Sequence, residues 1–139
     1  MDDPFELQRF VDAQAPVIDR VRAELRAGRK QSHWMWFVFP QIAGLGSSAM
    51  AVRYAIASRD EARAYLAHPV LGARLREGTQ AVLEVEGRSV RQIFGSPDDM
   101  KFHSSMTLFD AAAAGDVFDA ALAKYFGGAR DKGTVARIG

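Results

Sequence analysis

The densest concentration of chemically capable side chains is Lys30-Gln31-Ser32-His33-Trp34-Met35-Trp36-Phe37-Val38-Phe39-Pro40-Gln41, followed by Gly44-Leu45-Gly46-Ser47-Ser48. Residues 25–59 contain no Asp or Glu, although the chain holds 17 acids among 139 residues. The same window carries Arg26, Arg29, Lys30, Arg53 and Arg59. Polar residues pinned beside a rigid aromatic element are how ligand pockets are lined, and in a locally positive segment the ligand expected is an anion. Lys30 and Arg53 would supply charge, Ser32, Gln41 and Ser48 hydrogen bonds, and Trp34 or Trp36 a stacking face. The plainer account of Phe37, Val38 and Phe39 is a core plug, because aromatic side chains bury much area. Gly44 to Ser48 precede a helical start at Ala49, where backbone N–H groups can face phosphate or carboxylate. A structural turn after Pro40 explains that stretch more simply.

A second constellation lies at Asp98, Lys101 and Ser105, spaced i, i+3 and i+7 on one helix face, with Ser104 and Thr107 flanking it. A cation near a helix start is not where the macrodipole favours it. Either Asp98 and Asp99 compensate Lys101 locally, or Lys101 points toward a bound anion, with Ser104 and Ser105 adding hydrogen bonds. An enzyme built on this pocket would use His33 as general acid or base, since imidazole titrates near neutrality. Ser32 is a poor nucleophile for it, because sequence neighbours on a helix do not face one another, so Ser105 or Ser104 would have to approach through the fold. The sequence shows no nucleophile elbow, no HExxH and only three isolated histidines, so no metal site is expected. Neither GxxxxGK[ST] nor a strand-bounded GxGxxG occurs, and no cofactor is expected. His68, ahead of Pro69, reads as a local cap, and His103 has no evident partner.

These residues must be positioned by helices. Phe5, Leu7, Phe10, Val11 and Gln14 recur at helical spacing, with Asp3 as cap and Pro4 in the first turn; Pro16 breaks the run, and Val17, Ile18, Val21 and Leu25 continue it to Gly28. Ser58 with Glu61 reads as a capping box, and Pro69 opens a further helix whose apolar face runs from Val70 to Val85. Ser89 to Phe94 form a short segment. Ser96-Pro97-Asp98-Asp99 is the strongest start signal in the chain. Asp116 begins a last helix that Gly127-Gly128 stop, and a polar tail follows. The expected fold is all-α, a compact orthogonal array of six to seven helices over one domain, residues 1–139, with a short strand possible around Val52 to Ala57.

Composition limits the classes. At 48% hydrophobic and 25% charged residues the chain is globular, not disordered. A formal net charge of +1 argues against a general nucleic-acid or membrane-surface binder. Zero cysteines exclude disulfides, thiolate metal sites and a thiol nucleophile. The acidic start is unlike a signal peptide, and the apolar run Trp34–Pro40 is too short to span a bilayer. A cytoplasmic protein is expected.

At His33-Trp34-Met35-Trp36 through Pro40-Gln41, at Tyr65-Leu66-Ala67-His68-Pro69-Val70-Leu71-Gly72 and at Ser104-Ser105-Met106-Thr107-Leu108-Phe109, the sequence resembles the bacterial domain-of-unknown-function family numbered 1810. The resemblance runs over nearly the whole chain and includes Lys30 and Lys101. It implies a small, mainly helical, stand-alone domain and no established activity. Some members of that family are labelled calpastatin, which the folded composition here contradicts, since such an inhibitor is disordered. Three functional readings follow. The first is a pocket for an anionic, phosphate-bearing or nucleotide-like small molecule. The second adds acid/base hydrolysis by His33 and Ser105. The third is an interaction module in which the Trp-rich segment docks a partner, a second copy of the chain included.

Overall fold

Pro16 divides the N-terminal apolar stripe into α1 (Gln8–Gln14) and α2 (Ile18–Arg26) in the computed structural model, which describes residues 2–138. Asp3 does cap, but across a turn: its carboxylate accepts from Leu7 N (2.8 Å) and Gln8 N (3.0 Å), so the helix begins four residues later than Pro4 suggests. After α2 come α3 (Met35–Val38) and α4 (Ala49–Arg53), the latter capped by Ser48 Oγ, which accepts from Ala51 N at 3.1 Å. Ser58 caps α5 (Arg59–Ala67) by accepting from Glu61 N. The Glu61 carboxylate does not return to close the expected box; it accepts from Ala57 N (2.9 Å) and from Arg9 (3.0 Å).

His68 Nδ1 accepts from Val70 N (3.1 Å) and Leu71 N (3.2 Å), and so caps α6 (Leu71–Leu83). A full capping box between Ser89 and Gln92 opens α7 (Val90–Phe94). In α8 (Asp98–Ala112) the cap residue is Pro97 itself, with Ser96 one residue outside and making no cap bond. Asp116 caps α9 (Val117–Phe126), which ends at Gly127 in the left-handed region (φ +61°), where glycine carries no Cβ penalty. The expected polar tail is instead a helix, α10 (Lys132–Ile138). The architecture is all-helical as expected, but with ten helices among the described residues, not six to seven. The excess consists of one- and two-turn helices, too short for a 3.6-residue periodicity to register. In place of a strand near Val52–Ala57 there is one isolated parallel bridge, Ile42 to Ile56.

α8 is the central element, packed by α5, α7, α9 and α10. Ser104 through Asp110 are all buried. Two of the small polar residues return their hydroxyls to the helix: Ser104 Oγ donates to Met100 O, sharing its proton with Asp131, and Thr107 Oγ1 donates to His103 O. Phe39, Phe94 and Phe102 form an aromatic knot beside α8.

The α5–α6 corner depends on Gly72, because a Cβ there would stand 2.1 Å from the Leu66 carbonyl oxygen. Backbone cannot yield as a flexible side chain can, so Gly72→Ala is expected to cost about 1–3 kcal/mol. Urea denaturation checks this, and a midpoint equal to wild type would show that the corner relaxes freely.

Candidate functional site

Two polar anchors hold the segments on either side of the site, the aromatic segment and the chain between α4 and α5. The first is Glu24, one residue outside the acid-free window. Its Oε1 accepts from Gln31 N (2.8 Å), Ser32 N (2.9 Å) and Trp34 Nε1 (2.9 Å), and its Oε2 accepts from Ser32 Oγ (2.6 Å). Burial pushes this carboxyl up, but the hydrogen bonds from Ser32, Gln31 and Trp34 overcome that and lower it to about 2. The second anchor is Arg9, which donates to Arg53 O (3.0 Å), Ala55 O (2.9 Å) and Glu61 (3.0 Å), fixing the chain between α4 and α5.

A cavity of about 690 Å³ opens against α8 and the start of α10. Its wall is mostly apolar, with Met35, Phe39, Ile42, Leu45, Tyr54 and Met100 among the lining side chains. The polar side chains on it are Gln41, Ser47, Ser48, Lys101, Ser104 and Asp131, and Trp36 supplies an aromatic face. Lys101 Nζ lies 5.1 Å from the centroid of the Trp36 ring. Val52 and Met100, two of the three exposed large hydrophobic residues among the described residues, also line the cavity (64% and 67% exposed).

The structure therefore brings Trp36, Gln41, Ser48, Lys101 and Ser104 to one cavity and places the other sequence candidates elsewhere. Trp34 is completely buried and fixed to Glu24, so it offers no stacking face to a ligand. Ser32 is committed to the same carboxylate. Lys30, its side chain only 7% exposed, lies behind the cavity, with Nζ 2.9 Å from Asp98, 2.6 Å from Ser32 O and 5.1 Å from the Trp34 ring centroid. Arg53 projects to the surface with its guanidinium 5.4 Å from the Tyr54 ring centroid. His33 is exposed, and Ser105 is fully buried with no hydrogen-bond partner for its Oγ; neither lines the cavity. The proposed acid/base pair is thus not assembled there.

Asp98 brings an acid to the two lysines beside the site. It bridges Lys30 (2.9 Å) and Lys101 (3.3 Å), so three charges share one cluster with an excess of one positive. The local positive potential inferred from residues 25–59 is accordingly reduced by an acid from a distant segment. Asp131 was missed as a lining residue because it lies in what reads as a tail. Its spacing to Thr134 is the signal that could have found it: Asp131 Oδ2 accepts from Thr134 N (3.0 Å) and Thr134 Oγ1 (2.6 Å) at the start of α10. Among the described residues no group of three or more His, Cys, Asp or Glu is arranged to hold a metal ion, and no helix is long and apolar enough to cross a membrane.

The family described as "Protein of unknown function (DUF1810)" matches residues 4–138. The chain is also similar to a solved structure, that of the conserved hypothetical protein Rv1873 from Mycobacterium tuberculosis. The two are 61% identical over 96% of each chain, with a TM-score of 0.95. A search of the curated proteins finds no match.

Proposed function

Because the chain belongs to the DUF1810 family, whose description assigns no reaction, function must be read from the cavity, and we propose that it binds an anionic small molecule there. The observation that carries this reading is Lys101, a cation on an otherwise largely apolar wall and held over the face of Trp36. Cavities of roughly 300–1,000 Å³ with an apolar lining and a few placed polar groups are typical of small-molecule sites. A ligand with a flat or apolar body would lie against Trp36, Leu45, Val52 and Met100, with its anionic group on Lys101. Burial of Trp34 and concavity around Trp36 favour a pocket over a docking face built from the Trp-rich segment. Phosphate-bearing and nucleotide-like compounds form one class of ligand, and carboxylates the other. With neither His33 nor Ser105 on the cavity wall, the geometry supports binding and supplies no hydrolytic pair.

A thermal-shift panel of nucleotides, sugar phosphates and carboxylates tests this. A ligand at 100 times its dissociation constant should add about 2.7 kcal/mol, raising the midpoint by roughly 5–10 °C. Lys101→Met should weaken a genuine ligand by roughly 10- to 100-fold, the worth of a charge-assisted hydrogen bond. The fold should tolerate that change, because Asp98 keeps Lys30 as its partner. Trp36 fluorescence should report the same binding, and Trp36→Phe should remove the signal. No shift from any anion, with a midpoint that depends on protein concentration, would favour an interaction module instead.

A further inference from the structure

We propose that the cavity selects a zwitterion: an amine-bearing carboxylate whose anionic group meets Lys101 and whose protonated amine is accepted by Asp131. The inference rests on the pocket reading above and narrows it.

Lys101 and Asp131 belong to the same wall. Ser104, one turn beyond Lys101 on α8, shares its single hydroxyl proton between Met100 O (3.1 Å) and Asp131 Oδ2 (3.2 Å), and Lys101, Ser104 and Asp131 all line the cavity. The two oxygens of Asp131 have different duties. Oδ2 carries every hydrogen bond made to the carboxylate, from Ser104 Oγ, Thr134 N and Thr134 Oγ1. Oδ1 accepts from no described residue, and it is not among the buried unpartnered atoms, so it is open to an incoming donor.

Among the described residues Asp131 has no ion-pair partner. Of the cations around it, Arg130 pairs with Asp110 (2.8 Å), and Arg137 donates to Gly133 O (3.1 Å) beside Gly44 at the edge of the cavity, making no ion pair with Asp131. His103 stacks on Phe126 with Nε2 2.7 Å from Ala129 O, and Lys132 is exposed on the first turn of α10. Burial pushes the Asp131 carboxyl up, but hydrogen bonds from Thr134 and Ser104 hold it below the usual carboxylate range, so it is charged at neutral pH.

Beside Lys101, the Asp131 charge favours, among compounds with an anionic group, those that also carry a cation. Lys101, already shared with Asp98, offers charge for one anionic group and not for several. A ligand that is anionic at one end and cationic at the other satisfies both wall charges. The Leu45, Val52 and Met100 side chains then receive its apolar part.

The experiment uses matched sets of aromatic and aliphatic amino acids, their N-acetyl forms and their carboxamides, with phosphate compounds as a further arm. Binding is followed by thermal shift and by the NMR indole resonance of Trp36. The free zwitterions should bind at least 10-fold more tightly than either blocked form. Asp131→Asn provides the second reading. Asparagine is an equally good helix cap, so its oxygen can keep the Thr134 and Ser104 bonds while its NH₂ replaces Oδ1. The preference for free amine over N-acetyl should then fall to about one, with the unliganded melting temperature as the control on folding. Equal binding of N-acetyl and free forms to wild type would overturn the zwitterion and leave the anion pocket standing. No binding by any compound, phosphates included, would overturn both.

Discussion

Glu24→Gln is expected to cost about 3 kcal/mol of folding stability at neutral pH. The basis is the lowering of the Glu24 carboxyl from 4.5 to about 2, where each unit is worth about 1.4 kcal/mol. Glutamine can keep its oxygen under the Gln31, Ser32 and Trp34 N–H groups, and Ser32 Oγ can rotate to face the new NH₂. What disappears is the negative charge that strengthens all of these bonds. The pH dependence separates this from a packing defect. A group whose folded value is depressed stabilises fully above its unfolded value and loses that contribution as pH falls through the folded one. Wild type should therefore exceed Glu24→Gln by the full amount above about pH 5, and the two should converge toward pH 2. Urea unfolding of both proteins at pH 7 and pH 3 measures the gap. A gap that does not shrink at pH 3 would show that shape, not charge, holds residues 31–34. The loss should also reach the cavity, because the Trp34 fixed by Glu24 is the residue immediately before α3, whose Met35 and Trp36 line the wall.

That dependence on Glu24 explains what the sequence could and could not reveal. The lack of acids over residues 25–59 is real, yet two acids serve the segment from outside it: Glu24 from the preceding helix and Asp98 from α8. Neither pairing has a sequence signature, because each is made by tertiary packing. Cap chemistry is local and legible in sequence: Ser58, His68 and Asp116 cap the helices they precede, and Ser48, expected as a hydrogen-bonder to a ligand, also caps α4. Ser96 misled because a serine followed by proline resembles a cap whether or not its hydroxyl reaches the helix, and here Pro97 takes the position. The residues of the cavity divide along the same line. Trp36, Lys101 and Gln41 stand out by type, whereas Tyr54, Met35 and Phe39 are indistinguishable in sequence from core residues, which by burial they also are. Asp131 was hidden by the brevity of α10, seven residues with little periodicity.

The largest single loss of stability is expected at Phe102. Its ring is fully buried, stacked on Phe94 at 4.7 Å and set edge-on to Phe39 at 5.2 Å, with Tyr125 and Phe126 beyond. Removing it leaves a void between α7, α8, α9 and the end of α3 that rigid neighbours cannot fill, so Phe102→Ala should cost about 3–5 kcal/mol. Phe102→Leu should cost less than about 1.5 kcal/mol, since it keeps most of the volume. Met100, two residues earlier on α8, is 67% exposed at the cavity, and Met100→Ala should stay within about 0.5 kcal/mol of wild type. Chemical denaturation of the three variants tests the ordering, and comparable losses at positions 100 and 102 would mean that α8 is not the divide between core and cavity. Ligand titration adds an independent coordinate. Met100→Ala and Lys101→Met should change affinity with the midpoint of unliganded protein nearly fixed. Phe102→Leu should do the reverse, because its side chain faces the aromatic knot while its neighbours on α8 line the cavity. A helix that carries packing on one side and recognition on the other makes the two effects separable by single substitutions.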